Sequence, residues 1–252
     1  MDIGTYAAAS LGIVQMRKLE IQNNNLANVN TVGFKRQFLV TSPEDFNDTF
    51  AKQLEKEDPY ASGDQNRVAS VNEVSSEIDF SMGAIKSTGN PLDVALRGAN
   101  DFFAVNTPQG QMFTRAGNFT LDANGALVTQ DGYQVQGDGG TITAQGAGTH
   151  IGADGTVRSG GNIVGRLQVF RFDQTNNLEA VEGTRFKIVG AGAPTPVEGF
   201  MEPRSLEMSN VSAVTGMIDL ITTNRAFDAY TKAAQTIDSL NQAAITQVGK
   251  RQ

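Results

Sequence analysis

The 252-residue sequence has no cysteine, which excludes disulfides, thiolate nucleophiles and metal ligation through sulfur. That lack fits export to an oxidising compartment, though it fits much else. Tryptophan is absent too, and the one histidine, His150, has no second histidine to share a metal or build a nucleophilic triad. It reads as an exposed or satisfied strand residue. No apolar run approaches the ~18 residues of a membrane span, so no membrane insertion is expected. The first twenty residues lack the basic start, apolar stretch and cleavage site of a signal peptide. Positive charge is in deficit: the net charge of −7 argues against a nucleic-acid surface. Gly146-Ala147-Gly148 precedes no helix and cradles no phosphate. Asp122-Ala123-Asn124-Gly125 and Asp154-Gly155 lack the twelve-residue ligand series of a calcium loop and read as turns. No catalytic residue, metal ligand or cofactor is therefore expected.

What is present is unevenly laid out. Residues 41–80 hold ten acids against three bases, which accounts for the whole net charge. Such a run is by default a solvated face, with a basic surface on a neighbour as the alternative. Twenty-one of 27 glycines lie between Met82 and Pro203, while 1–31 and 204–252 contain no proline. The layout is α+β: a helical terminal domain made of 1–36 with 205–252, an acidic connector over 37–81, extended or hairpin, and a β-rich outer domain over 82–204. Within the connector, Phe38 to Val40 could begin a strand, Pro43-Glu44-Asp45 could open a short helix, and Val68 to Phe80 alternates like a half-exposed strand. Glu55 to Asn66 reads as an exposed loop.

In the middle, Leu92–Leu96, Phe119–Leu121, Tyr133–Val135 and Leu167–Phe172 alternate. Asn124-Gly125, Asp131-Gly132, Asp154-Gly155 and Asn176-Asn177 suit positive φ in tight turns. Short strands at this spacing predict a sandwich or partly open barrel. Phe102, Phe103, Phe113, Phe119, Phe170, Phe172 and Phe186 are expected to fill its core.

Residues 3–31 read as a helix with two apolar rows, Leu11, Val14 and Ile21 on one and Ile13, Met16 and Leu26 on the other. A helix apolar on two sides is buried on two sides. The second side meets another subunit, or else the helix is the central core of a monomer. Gly33 suits the left-handed C′ position, with Phe34 folding back on Val29 and with Lys35 and Arg36 opposing the helix dipole. Five asparagines within residues 23–30 are poor helix material, but asparagine can hydrogen-bond across a helix seam and set register. The last helix is expected to start at Ser209 or Asn210 and run to about Val248. Phe227, Tyr230, Ala234, Ile237, Ala244 and Val248 form its seam, beside Ala233 and Leu240, and Val214, Met217 and Ile221 form a row upstream. Thirty-eight residues reach about 57 Å. A helix that long needs partners, the first being the N-terminal helix, antiparallel or nearly so in a coiled-coil-like pair.

Asn25-Leu26-Ala27-Asn28, Thr31 and Gly33-Phe34-Lys35-Arg36 resemble the N-terminal signature of bacterial flagellar rod and hook proteins. Ser209-Asn210-Val211, Met217-Ile218, Arg225-Ala226-Phe227-Asp228 and Lys232 resemble their C-terminal signature. Pro91–Leu96, Phe102-Phe103, Thr114–Phe119 and Asn124–Val128 extend the likeness through the middle. One departure is Asp101, where the family commonly has glycine; a local backbone adjustment is expected there, since aspartate tolerates positive φ.

The resemblance implies a structural subunit of the basal-body rod, the axial shaft that carries torque to the hook, and not an enzyme. It implies export through the flagellar type III apparatus without a cleaved signal, and a place in the periplasmic part of the basal body. Partners would be copies of the chain, other proximal and distal rod proteins and the surrounding ring proteins. Length leaves the proximal and distal types, and the Pro91–Leu96 stretch and Gly165-Arg166-Leu167 favour the proximal. The expected assembly interface is Leu11, Val14, Ile21, Asn25, Leu26, Asn28, Gly33, Phe34, Val214, Ile218, Ile221, Arg225, Phe227, Tyr230, Ile237 and Leu240. A second reading is a surface binding module, with a β-domain on a coiled-coil stalk.

Overall fold

The computed structural model describes residues 3–45, 69–145, 148–190 and 193–249. The expected loop over Glu55–Asn66 lies outside them. The chain forms two units, one holding both long helices and one holding most of the strands.

In the first unit the N-terminal helix spans Ile3–Ala27, four residues short of the expected end. The asparagines explain the early stop, because their amides compete with the helical ladder. Strands Gln37–Asp45 and Ala69–Ile78 form a two-stranded sheet. Pro43-Glu44-Asp45 thus ends a strand and opens no helix. Proline is tolerated there because a two-stranded sheet leaves half its backbone groups unpaired. The C-terminal helix spans Ala213–Gly249, 37 residues, or about 55 Å. Val14, Ile21 and Asn25 are buried on one face of the first helix, and Thr223 is buried on the last. The two helices are neighbours at Gly216, where an added Cβ would lie 3.8 Å from Leu26 Cδ1.

The second unit is built on Asp101–Thr107, which pairs antiparallel with Gly110–Thr114, Gln134–Gly137 and Val169–Arg171. From there a ten-stranded sheet extends to Leu178–Ala180 at one end and Thr120–Leu121 at the other. His150–Ile151, Thr156–Ser159 and Asn162–Arg166 make a three-stranded sheet. Two short ladders pair Val94–Leu96 with Met201–Pro203 and Ile85–Ser87 with Ser205–Glu207.

Strand alternation divides the core. Phe102 and Phe103 are successive residues on the central strand and so point to opposite faces. Phe103 enters a cluster with Val94, Leu96, Phe119, Leu127 and Val135. Phe102 enters one with Phe80, Phe113, Phe170, Phe172 and Phe186, where its ring meets Phe80, Phe172 and Phe186 edge-on. All seven expected phenylalanines are buried. Gly125, Gly132 and Gly155 have φ of 81°, 84° and 77°, as their turns require. Asn176-Asn177 differs: it lies in a 3-10 turn, Thr175–Asn177, with no positive φ. The strands on either side of it do not pair with each other, so no tight hairpin is needed there.

Asp101 departs from expectation as well. It is an extended strand residue, not a positive-φ one. Its buried carboxylate accepts from Arg171 Nε at 2.7 Å and Nη2 at 3.0 Å, a two-point contact that supplies the compensating charge. Gly98 makes room for it, since a Cβ there would collide with the Asp101 carboxylate. The carboxylate is thus accommodated by charge and space while the backbone keeps its strand geometry.

Candidate functional site

Three distant stretches of sequence meet in the second unit around one carboxylate. Lys35 Nζ donates to Glu207 Oε1 at 2.7 Å and to the Ser81 carbonyl at 2.6 Å. Arg115 Nε donates to Glu207 Oε2 at 2.8 Å. Arg115 Nη2 comes within 2.6 Å of the same oxygen, off the hydrogen-bond line, and Nη1 donates to the carbonyls of Gly98 and Asp101. Gly83 N–H completes the carboxylate's shell at 3.0 Å. The three side chains are 1%, 0% and 1% exposed, for Lys35, Arg115 and Glu207. Two cations thus share one anion out of reach of solvent, an arrangement stable only while all its bonds are made. Burial pushes the Lys35 ammonium below its ordinary value, against the pull of Glu207; Arg115 lowers it further and Asp79 raises it.

The backbone closes around this cluster. Gly33 N–H donates to the Glu207 carbonyl at 2.8 Å. Gly33 has φ of 70°, and a Cβ there would lie 2.6 Å from the Arg115 carbonyl carbon and closer still to Ala116 N. Asn210 Oδ1 accepts from Arg36 N–H at 2.7 Å, and its Nδ2 donates to the Asp79 carbonyl at 2.8 Å. Asp79 N–H in turn donates to the Arg36 carbonyl at 2.8 Å. Burial would raise the Asp79 carboxyl, but hydrogen bonds from Ser81 and the charges of Arg36 and Lys35 hold it below 3.8.

These contacts correct four expectations. Gly33 does take a left-handed conformation, but it lies six residues beyond the helix end and is no C′ cap. Lys35 opposes no helix dipole; it is the buried partner of Glu207. Asn210 caps no helix, because the C-terminal helix begins at Ala213 and the Asn210 amide is taken by Arg36, Asp79 and Ser81. Asn25 makes its bonds within the subunit, not across a helix seam: Nδ2 donates to the Gln37 carbonyl at 2.7 Å and Oδ1 accepts Gln37 N–H at 2.9 Å. That two-point clamp fixes where the chain leaves the helix.

Family models match in the same three places. A model described as flagella basal body rod protein matches residues 13–35. The flagellar hook protein FlgE/F/G D1 domain matches 95–159, and the flagellar basal body rod FlgEFG protein C-terminal model matches 202–247. The flagellar basal-body rod protein FlgF of Caulobacter vibrioides is 32% identical over 99% of each chain. The chain belongs to the flagellar basal-body rod family. It is also 32% identical to FlgG of the same bacterium, over 94% of this chain and 95% of the relative, and 31% identical to FlgG of Bacillus subtilis, over 90% and 92%. This rod subunit is therefore a structural protein of the flagellum and not an enzyme, and the binding-module alternative is not favoured.

Each of the three matched stretches in the rod subunit contributes one member of the ionic cluster, Lys35, Arg115 and Glu207. None of the three is among the expected interface residues. Of those residues, Val14, Ile21, Asn25, Gly33 and Phe34 are buried within the subunit itself. Leu26, Asn28, Phe227 and Tyr230 are half-buried, and Arg225 is exposed. The side chains of Leu11, Ile237 and Leu240 lie outside the description. The most exposed set is on the C-terminal helix: Val214 71%, Met217 54%, Ile218 59% and Ile221 53%. Spaced three and four apart, they form one apolar stripe. Ile13 and Met16 are exposed on the N-terminal helix.

Proposed function

We propose that this rod subunit is of the FlgF, proximal-rod type, and that its terminal helices assemble side by side into the axial shaft that carries torque to the hook. The observation that carries assembly through the helices is the Val214–Met217–Ile218–Ile221 stripe, apolar and open to solvent in the single chain. Four such side chains in one row are an unburied face, and burying each contributes about 1.5–3 kcal/mol. The stripe takes helices of other copies and of other rod proteins, in coiled-coil-like packing, with surrounding ring proteins as further partners. The periplasmic part of the basal body is its place, reached through the type III export apparatus without a cleaved signal. The FlgF type is supported by end-to-end alignment with FlgF relatives, against 90–94% of this chain for FlgG relatives. Complementation tests the type. A strain that has lost its FlgF-type subunit should swim again when given this chain, and a strain without its FlgG-type subunit should not. Rescue of the second strain alone would make the chain a distal subunit.

A further inference from the structure

The ionic cluster sits where the two ends of the chain come together. Lys35 is eight residues beyond the N-terminal helix and Glu207 six residues before the C-terminal one. The partners of the 33–36 stretch come from far along the sequence. Gly33 N–H bonds the Glu207 carbonyl, Lys35 bonds the Glu207 carboxylate, Arg36 N–H bonds Asn210, and Gly33 backs onto the Arg115–Ala116 peptide. Without residues 205–210, Lys35 and Arg115 would be two buried cations with no anion between them, an arrangement that cannot persist away from water.

We propose that Lys35, Arg115 and Glu207 form a chain-end clasp: the N-terminal signature keeps its folded shape only while Glu207, just before the C-terminal signature, is seated between the two cations. The clasp therefore makes the path into the N-terminal helix conditional on the arrival of the last fifth of the chain. A subunit that is still incomplete holds that path open, and closure waits on Glu207 because it is the one anion set between the two buried cations. The link to assembly rests on the rod reading; the clasp itself does not.

The charges give the clasp a signature that ordinary packing lacks. Glu207→Gln leaves two buried cations uncompensated, whereas Lys35→Met leaves the Arg115–Glu207 pair neutral. Hydrogen exchange on the full chain reads the result at the Gly33 amide. Its acceptor is the main-chain carbonyl of residue 207, which the Gln variant retains. Exchange at Gly33 should quicken at least 100-fold in Glu207→Gln and less than 10-fold in Lys35→Met, with the amides of the Asp101–Thr107 strand unchanged in both. Unchanged protection at Gly33 in Glu207→Gln would overturn the proposal. So would equal effects of the two variants, or loss of protection in the central strand to the same degree, which would make the cluster an ordinary part of the core. Failure of complementation alone would count against the rod reading and leave the exchange result standing.

Discussion

Two glycines with nearly the same backbone angle separate conformational strain from crowding. Gly33 has φ of 70° and Gly132 φ of 84°. Alanine in the left-handed region costs about 1–2 kcal/mol at either position. At Gly132 an added Cβ meets nothing within 4 Å, so strain is the whole effect. At Gly33 the same carbon presses on the Arg115–Ala116 peptide, 2.6 Å from a carbonyl carbon. Backbone cannot swing aside as a side-chain tip can. Relief requires moving the peptide that carries Arg115, whose Nε is held to Glu207 by a 2.8 Å hydrogen bond. Overpacking of this kind adds about 1–3 kcal/mol. Gly33→Ala should therefore cost about 2–5 kcal/mol and Gly132→Ala about 1–2. Urea unfolding of the full-length monomer, followed by far-ultraviolet circular dichroism, measures both. Gly132→Asn should recover part of the loss because asparagine tolerates the angle, while Gly33→Asn should not. Equal costs for the two alanine variants, or recovery in Gly33→Asn, would refute the crowding argument.

Other consequences follow from the same geometry. Asn25→Asp keeps the acceptor for Gln37 N–H but turns an anion toward the Gln37 carbonyl, so it should destabilise by about 1–3 kcal/mol, and Asn25→Ala by a similar amount, in the same urea assay. Ile221→Glu lies on an exposed face and should leave monomer stability within about 0.5 kcal/mol. Stability should also rise at alkaline pH. Lys35 loses its proton at lower pH when folded than when unfolded, where its value is near 10.5, so between the two values the unfolded state binds more protons. The contribution is flat below the folded value and climbs up to 10.5; burial sets it, Arg115 adds to it, and Glu207 and Asp79 oppose it. Lys35→Met should remove that rise in a series of unfolding curves taken between pH 8 and about 10.5, and an unaltered slope would show that Lys35 is not its source.

The parts of this fold that were legible in the sequence are those written in neighbouring residues. Phe102 and Phe103 announce core residues, though the two-faced strand that carries them was not read, and Asn124-Gly125, Asp131-Gly132 and Asp154-Gly155 announce turns, because a left-handed angle needs a local residue type. The end of the N-terminal helix was misjudged because the Gly33 angle, correctly expected, serves contact with Arg115–Ala116 in place of a cap. Lys35 and Glu207 were missed for a different reason. A charged residue is by default solvated, and the partner that buries Lys35 is 172 positions away. The one available signal was a glutamate between Leu206 and Met208, next to the C-terminal signature. The exposed stripe was half legible: the row of Val214, Met217 and Ile221 is periodic, but periodicity alone does not say whether a neighbour within the same chain covers it.

The proposed joint between this subunit and the rod is the open apolar stripe of the C-terminal helix. The most direct test replaces the chromosomal copy with an Ile218→Glu, Ile221→Glu chain and measures, by quantitative mass spectrometry, how much of the subunit is present in isolated basal bodies. The chain should be exported and folded, with wild-type protection at Gly33, yet absent from the basal bodies, and the cells should not swim. Wild-type amounts of the variant in basal bodies would contradict the claim and move the assembly interface elsewhere on the molecule.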